Sequence, residues 1–216
     1  EDIDTENQGD GLWISGVNKA GYTYTGDAII PAITVWDNAT PLTEKIDYTI
    51  AYKNNKNVGE ATITVSGKGN YSGKETFSFS ITPANIETDV YADSFYVKTN
   101  AKKAQKPVPE LYYMGTKLKN NKDFTITYSN TSGIYAQEGE YSVTITGVNN
   151  YAGTKTLTLT AVSQIPKKKP VSITKATLAG FEKSFPYTGK ACIQSCTLKI
   201  TADGSEKTLV EGADYT

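Results

Sequence analysis

Asp47–Gly73, DYTIAYKNNKNVGEATITVSGKGNYSG, decides how the rest of the 216-residue chain is read, because the chain writes it again. A second copy starts at Asp123 (DFTITYSN, 123–130) and closes with GEYSVTITGVNNYAG at 139–153. A third begins at Asp214 (DYT), where the given sequence stops. In the first copy Tyr48, Ile50 and Tyr52 share one face, Ala61, Ile63 and Val65 the next, and Phe77, Phe79 and Ile81 a third. Residues two apart on a strand point to the same side, so these are three core-facing sets. Lys53–Asn57 and Gly67–Gly73 supply the polar and Gly/Asn turns between them. Strands of about six residues with a turn roughly every 8–12 residues signal a β-sandwich or barrel. No segment sustains a 3.6-residue period with caps, so helix should be almost absent.

The second copy repeats the first face by face. Asp123 lies 76 residues after Asp47, and Leu118 lies 76 after Leu42. Past an inserted 132–138 stretch the offset becomes 80, taking Gly67, Asn70, Tyr71 and Gly73 to Gly147, Asn150, Tyr151 and Gly153. Its core-facing sets are Phe124/Ile126/Tyr128, Tyr141/Val143/Ile145 and Leu157/Leu159. Side-chain identity drifts while period and size persist, which is how a core is specified. A repeat of this length is too long for a solenoid unit, so each copy should be a domain of its own.

Outward from the repeated block, Leu12–Val17 (LWISGV) reads as a short strand with Gly16 as a bend, and Tyr24-Thr25-Gly26 follows. In 29–36, IIPAITVW, Ile29, Pro31, Ile33 and Val35 share one face and Trp36 lies on the other. Pro31 lacks an N–H to give a ladder, which makes this an edge strand or one broken at its start. The 164–172 stretch, QIPKKKPVS, reads as a semi-rigid Pro/Lys spacer. Beyond it, ATLAGF at 176–181 echoes LWISGV and Tyr187-Thr188-Gly189 echoes Tyr24-Thr25-Gly26. The expected organisation is therefore an acidic tail (1–10), module 1 (11–84), module 2 (85–163), the linker (164–172) and the N-terminal part of a truncated module 3 (173–216).

Several chemistries are disfavoured by composition. The net charge of −1 and pI near 5.6 leave no electrostatic footprint for nucleic acid or an anionic membrane. No apolar run approaches the roughly 20 residues of a membrane-crossing helix. There is no His, which removes Ser-His-Asp and Cys-His catalysis and the commonest transition-metal ligand. Asp47, Asp123 and Asp214 recur once per module at a strand entry and read as turn-capping groups rather than a catalytic pair. Asp2, Asp4 and Glu6 imitate the start of a calcium loop, but Asn7 stands where its sharp-turn Gly belongs. Cys192 and Cys196 align with inward Ile29 and Ile33, so buried thiols are favoured, and a disulfide would need a tight turn at Gln194-Ser195. No enzyme activity, metal or cofactor is expected.

Tyr24-Thr25-Gly26, Ile30-Pro31, Asp47-Tyr48-Thr49, Tyr52-Lys53-Asn54-Asn55 and Gly67–Gly73 (GKGNYSG), in that order, resemble a bacterial immunoglobulin-like repeat. Such repeats occur in tandem in secreted or cell-wall-attached proteins of Gram-positive gut bacteria. The second module departs from the pattern at 100–106, which lacks Tyr-Thr-Gly. The resemblance implies tandem immunoglobulin-like β-sandwiches, an extracellular location and a spacer or adhesin role, with neighbouring modules as partners and a glycan or host surface protein as a further candidate. It supplies no catalytic residues. Trp36 and Tyr112 are equivalent at offset 76 and lie opposite the core face, where a flat ring could stack on a sugar. They are the candidate ligand-binding residues, and a carbohydrate-binding module serving a polysaccharide-degrading enzyme is the alternative reading. A second expectation is that Tyr71 and Tyr151 tether their turns through a hydroxyl-to-backbone bond, as in a tyrosine corner.

Overall fold

Seven strands form from the first copy and the residues ahead of it: β1 (Leu12–Ser15), β2 (Tyr22–Thr23), β3 (Thr34–Asp37), β4 (Thr40–Pro41), β5 (Tyr48–Lys53), β6 (Gly59–Gly67) and β7 (Lys74–Thr82). The computed structural model describes residues 12–167, 176–180, 197–202, 205–210 and 214–215. Among them there is no helix, and the fold is all-β. β1-β3-β4 make a three-stranded sheet and β2-β7-β6-β5 a four-stranded one. The period-2 pattern explains the register: Ala61 faces Phe79 and Ile63 faces Phe77 across the antiparallel β6/β7 pair, so apolar side chains align across strands. Ile14 and Val35 from the smaller sheet join Tyr48, Ala61, Ile63, Val65, Phe79 and Ile81 from the larger in one buried cluster.

The expected 29–36 strand forms only at its end, as β3. Ahead of it the chain is tied to the β5/β6 turn instead. Ile29 N–H donates to the Asn55 carbonyl at 2.7 Å, and Asn55 Nδ2 donates back to the Ile29 carbonyl at 2.8 Å. The Tyr52 hydroxyl donates to the Pro31 carbonyl at 3.2 Å, using the acceptor of a residue that cannot donate.

The second copy gives β8 (Ala84–Asn85), β9 (Tyr91–Ala92), β10 (Phe95–Lys98), β11 (Leu111–Tyr113), β12 (Thr116–Lys117), β13 (Phe124–Tyr128), β14 (Gly139–Gly147), β15 (Tyr151–Ala152) and β16 (Thr154–Val162). Its sheets, β9-β11-β12 and β10-β16-β14-β13, have the strand order of the first copy. The hydrogen bonds repeat as well. Tyr128 donates to the Pro107 carbonyl at 2.8 Å, 76 residues on from Tyr52 and Pro31. Where the first copy has the two-residue β2 parallel to β7, the second has the longer β10 parallel to β16, with Phe95 opposite Leu159 and Val97 opposite Ala161. This is how the second module builds its front without a Tyr-Thr-Gly.

The inserted 132–138 stretch is more than a loop. Tyr135 is fully buried and meets Tyr141 edge-to-face at 4.9 Å, so the insertion delivers a core residue. Farther on, β17 (Thr177–Ala179), β18 (Thr197–Ala202) and β19 (Ser205–Leu209) form a three-stranded antiparallel sheet. The 1–10 tail, with the calcium-like Asp2, Asp4 and Glu6, lies outside the described residues, as do Cys192, Cys196 and most of the linker.

The chain divides into two compact units that do not follow the repeat boundaries. One comprises Glu1–Asp89, Asn121–Thr125 and Thr146–Thr154; the other comprises Val90–Asn120, Ile126–Ile145 and Lys155–Thr216. The first unit therefore includes the closing turn of the second repeat.

Candidate functional site

Trp36 stands on β3 beside the fully buried Val35, so the alternation that sends Val35 inward sends the indole outward. Across the sheet it faces Trp13 of β1, and the two rings stack with centroids 5.1 Å apart and planes 9° from parallel. Trp36 Nε1 donates to Ser15 Oγ at 2.9 Å and Trp13 Nε1 donates to the Asn38 carbonyl at 2.9 Å. Both indoles are half-buried. Trp36 thus offers less open ring face than an isolated outward Trp would, because Trp13 covers one side.

Tyr112 holds the same position on β11, beside the fully buried Leu111 and opposite Tyr91 of β9. The aromatic pair is therefore a repeated feature, Trp over Trp in one copy and Tyr opposite Tyr in the other. The Tyr112 hydroxyl donates to Glu110 at 3.2 Å, and Lys117 forms an ion pair with the same carboxylate. An open cavity of about 850 Å³ lies here, lined by Tyr91, Asp93, Tyr96, Glu110, Tyr112 and Ile165 among others. Its rings and carboxylates could hold a polar ligand with apolar faces. Burial, then the neighbouring Asp93 carboxylate, pushes the Tyr91 hydroxyl well above its usual pKa, so it stays protonated. In β18 the counterpart is Lys199, ion-paired with Glu206 at 2.9 Å.

Two of the recurring acids, Asp47 and Asp214, cap turns. Asp47 accepts from the Thr43 N–H at 2.8 Å and Asp214 from the Val210 N–H at 3.0 Å. The tyrosine-corner expectation needs correction at Tyr71. Its hydroxyl donates to the Asp37 carboxylate at 3.3 Å rather than to backbone, and burial with that carboxylate raises its pKa. Among the described residues no cluster of His, Cys, Asp or Glu could hold a metal ion.

A second constellation, inside the first compact unit, was not singled out by sequence. The turn Gly147–Gly153 carries Asn150 and Tyr151 to the far loop of the first module. Val58 N–H donates to Asn150 Oδ1 at 3.0 Å, and Asn150 Nδ2 donates to Asn57 Oδ1 at 3.0 Å. Tyr151 is buried and meets Tyr24 edge-to-face at 5.5 Å. β8, which spans the expected 84/85 boundary between the modules, runs parallel to β15: Ala84 N–H donates to the Asn150 carbonyl at 3.1 Å and Ile86 N–H to the Ala152 carbonyl at 2.8 Å. Ile86 is fully buried. Asn150 and Tyr151 had been read only as turn residues, and the sole sequence signal was ITPANI at 81–86, an apolar residue four positions ahead of Val90. No protein-family model matches the chain, and no curated protein matches it.

Proposed function

We propose that the chain is a non-catalytic run of immunoglobulin-like β-sandwich modules from a secreted or cell-wall-attached bacterial protein, serving as a spacer or adhesive stalk. The observation that carries this reading is the joint at Asn150 and Tyr151. A spacer must transmit position from one module to the next, and here the Asn57–Val58 loop of one copy is hydrogen-bonded to Asn150 in the turn of the following copy. The duplicated strand order and side-chain-to-backbone bonds support the same reading, because they repeat a scaffold. Attachment to a cell and display of another domain belong to the proposal.

The second reading, a glycan-binding module array, is favoured by one feature, the cavity beside Tyr112 with its four carbon-rich rings and two carboxylates. Pull-down of the chain on a panel of insoluble polysaccharides separates the two. The spacer reading expects no retention, and Tyr112→Ala and Trp36→Ala should change nothing there. Retention that Tyr112→Ala abolishes at unchanged melting temperature would replace the spacer with the glycan reading.

A further inference from the structure

The cavity beside Tyr112 is bounded by two parts of the chain. β9, β10, β11 and the residues next to them supply one wall, with the rings of Tyr91, Tyr96 and Tyr112 and the Asp93 carboxylate. The start of the linker supplies the other, through Pro166 and Lys167. Both walls lie in the second compact unit. The space between them is about 850 Å³, and Pro166 and Lys167 are exposed, so the linker borders the rings without covering them. Tyr96 in particular is 45% exposed.

The linker leaves β16 under constraint. The Ser163 N–H donates to Glu138 Oε1 at 2.7 Å. At the equivalent position, 80 residues earlier, stands Pro83, which has no N–H to give, so the first copy cannot form this anchor. From Ser163 the chain reaches Pro166 in three residues, at most about 10 Å of extended backbone. Pro166 and Lys167 are thereby kept at high local concentration beside the rings. Their chemistry matches that wall. A Pro ring is an apolar surface with its φ already fixed, and extended Pro-containing segments dock on aromatic grooves at low entropic cost for that reason. A Lys ammonium is drawn to the face of a Tyr ring and to a carboxylate. The wall carries a negative field: burial is the largest cause of the raised Tyr91 pKa, and the Asp93 and Asp214 carboxylates add to it. Glu110 already holds Lys117, which directs a second ammonium to Asp93.

We propose that Gln164–Lys167 is a strap that closes on this cavity, laying Pro166 on the exposed ring of Tyr96 and bringing the Lys167 ammonium to the Asp93 carboxylate. Closed, it fixes the direction in which the chain leaves the second module. It also covers rings that a glycan would use, so the strap and a ligand of the Tyr112 cavity exclude each other. The inference stands on the cavity and the Ser163 anchor and not on the spacer reading, so either can fail alone.

The test uses the full chain. NMR should show nuclear Overhauser contacts between the Pro166 ring protons and the Tyr96 ring. Tyr96→Ala should then move the Pro166 resonances to random-coil positions while leaving the melting temperature in place. Limited trypsin digestion reads the other half of the strap: Asp93→Asn should speed cleavage after Lys167 by about two- to fivefold, the weight of a part-exposed charge contact, again at unchanged melting temperature. Absence of the Pro166–Tyr96 contacts in the unaltered chain would overturn the proposal, whatever the variants do. So would a cleavage rate after Lys167 that Asp93→Asn leaves as it was, since the Lys167 ammonium would then have no hold on the wall.

Discussion

The turns at Gly67–Gly73 and Gly147–Gly153 share their sequence pattern and internal hydrogen bonds, yet they meet different surroundings. In the first, Asn70 and Ser72 are exposed and the Tyr71 hydroxyl reaches sideways to Asp37. In the second, Tyr151 is buried against Tyr24, and Asn150 holds the Asn57–Val58 loop while β8 pairs beside it. Repetition of a motif therefore says that the turn is needed to close its own module. What the turn does beyond that depends on what the chain lays against it. One turn serves as a closure and the other as a joint.

The contrast is broken most severely at Ile86, which is buried beside the second turn. Ile86→Ala should lower unfolding free energy by about 2–5 kcal/mol, the usual cost of emptying such a site, read as a drop in denaturant midpoint. Next come the glycines that both turns share. A Cβ on Gly147 would sit 2.7 Å from the Ala152 backbone nitrogen, and one on Gly67 2.6 Å from that of Ser72. Gly147→Ala and Gly67→Ala should each cost roughly 1–3 kcal/mol by overpacking, and by similar amounts, because turn closure is common to both copies. A large difference between them would show that the two closures are not equivalent.

Much of this was legible in advance, for identifiable reasons. The core sets Ala61/Ile63/Val65 and Val143/Ile145 are buried as the period-2 pattern requires, and the placement of Trp36 and Tyr112 opposite Val35 and Leu111 follows from the same alternation. Periodicity describes one strand, however, and pairing involves two. The stack of Trp13 on Trp36 needed the β1/β3 register, which no local pattern supplies. Tyr135 was hidden because an insertion breaks the repeat offset, and aperiodic residues look like loop. The joint was missed for a related reason: Val58 and Asn150 are 92 residues apart, and turn chemistry alone accounts for an Asn-Tyr pair.

A smaller effect separates the two asparagines. Asn150→Ala removes one bond to the Val58 N–H and one to Asn57 and should cost about 1–2 kcal/mol. Asn70→Ala, at an exposed position, should stay within about 0.5 kcal/mol. Equal costs would erase the distinction between closure and joint. Smallest, and opposite in sign, is Tyr135→Phe. Among the described residues the buried Tyr135 hydroxyl has no hydrogen-bond partner, and burial raises its pKa. Removing the hydroxyl should stabilise by up to about 1 kcal/mol, seen as a higher melting temperature.

The central claim is that the second turn is a joint, held by the Val58 N–H of the first module and by the Ala84 and Ile86 N–H groups of the segment that connects the two. Amide hydrogen exchange at Val58, Ala84 and Ile86 tests it most directly. The account predicts protection at these three amides close to that of the β6 and β7 amides, reduced at Val58 by Asn150→Ala. Exchange at unprotected rates at all three, with β6 and β7 still protected, would contradict it.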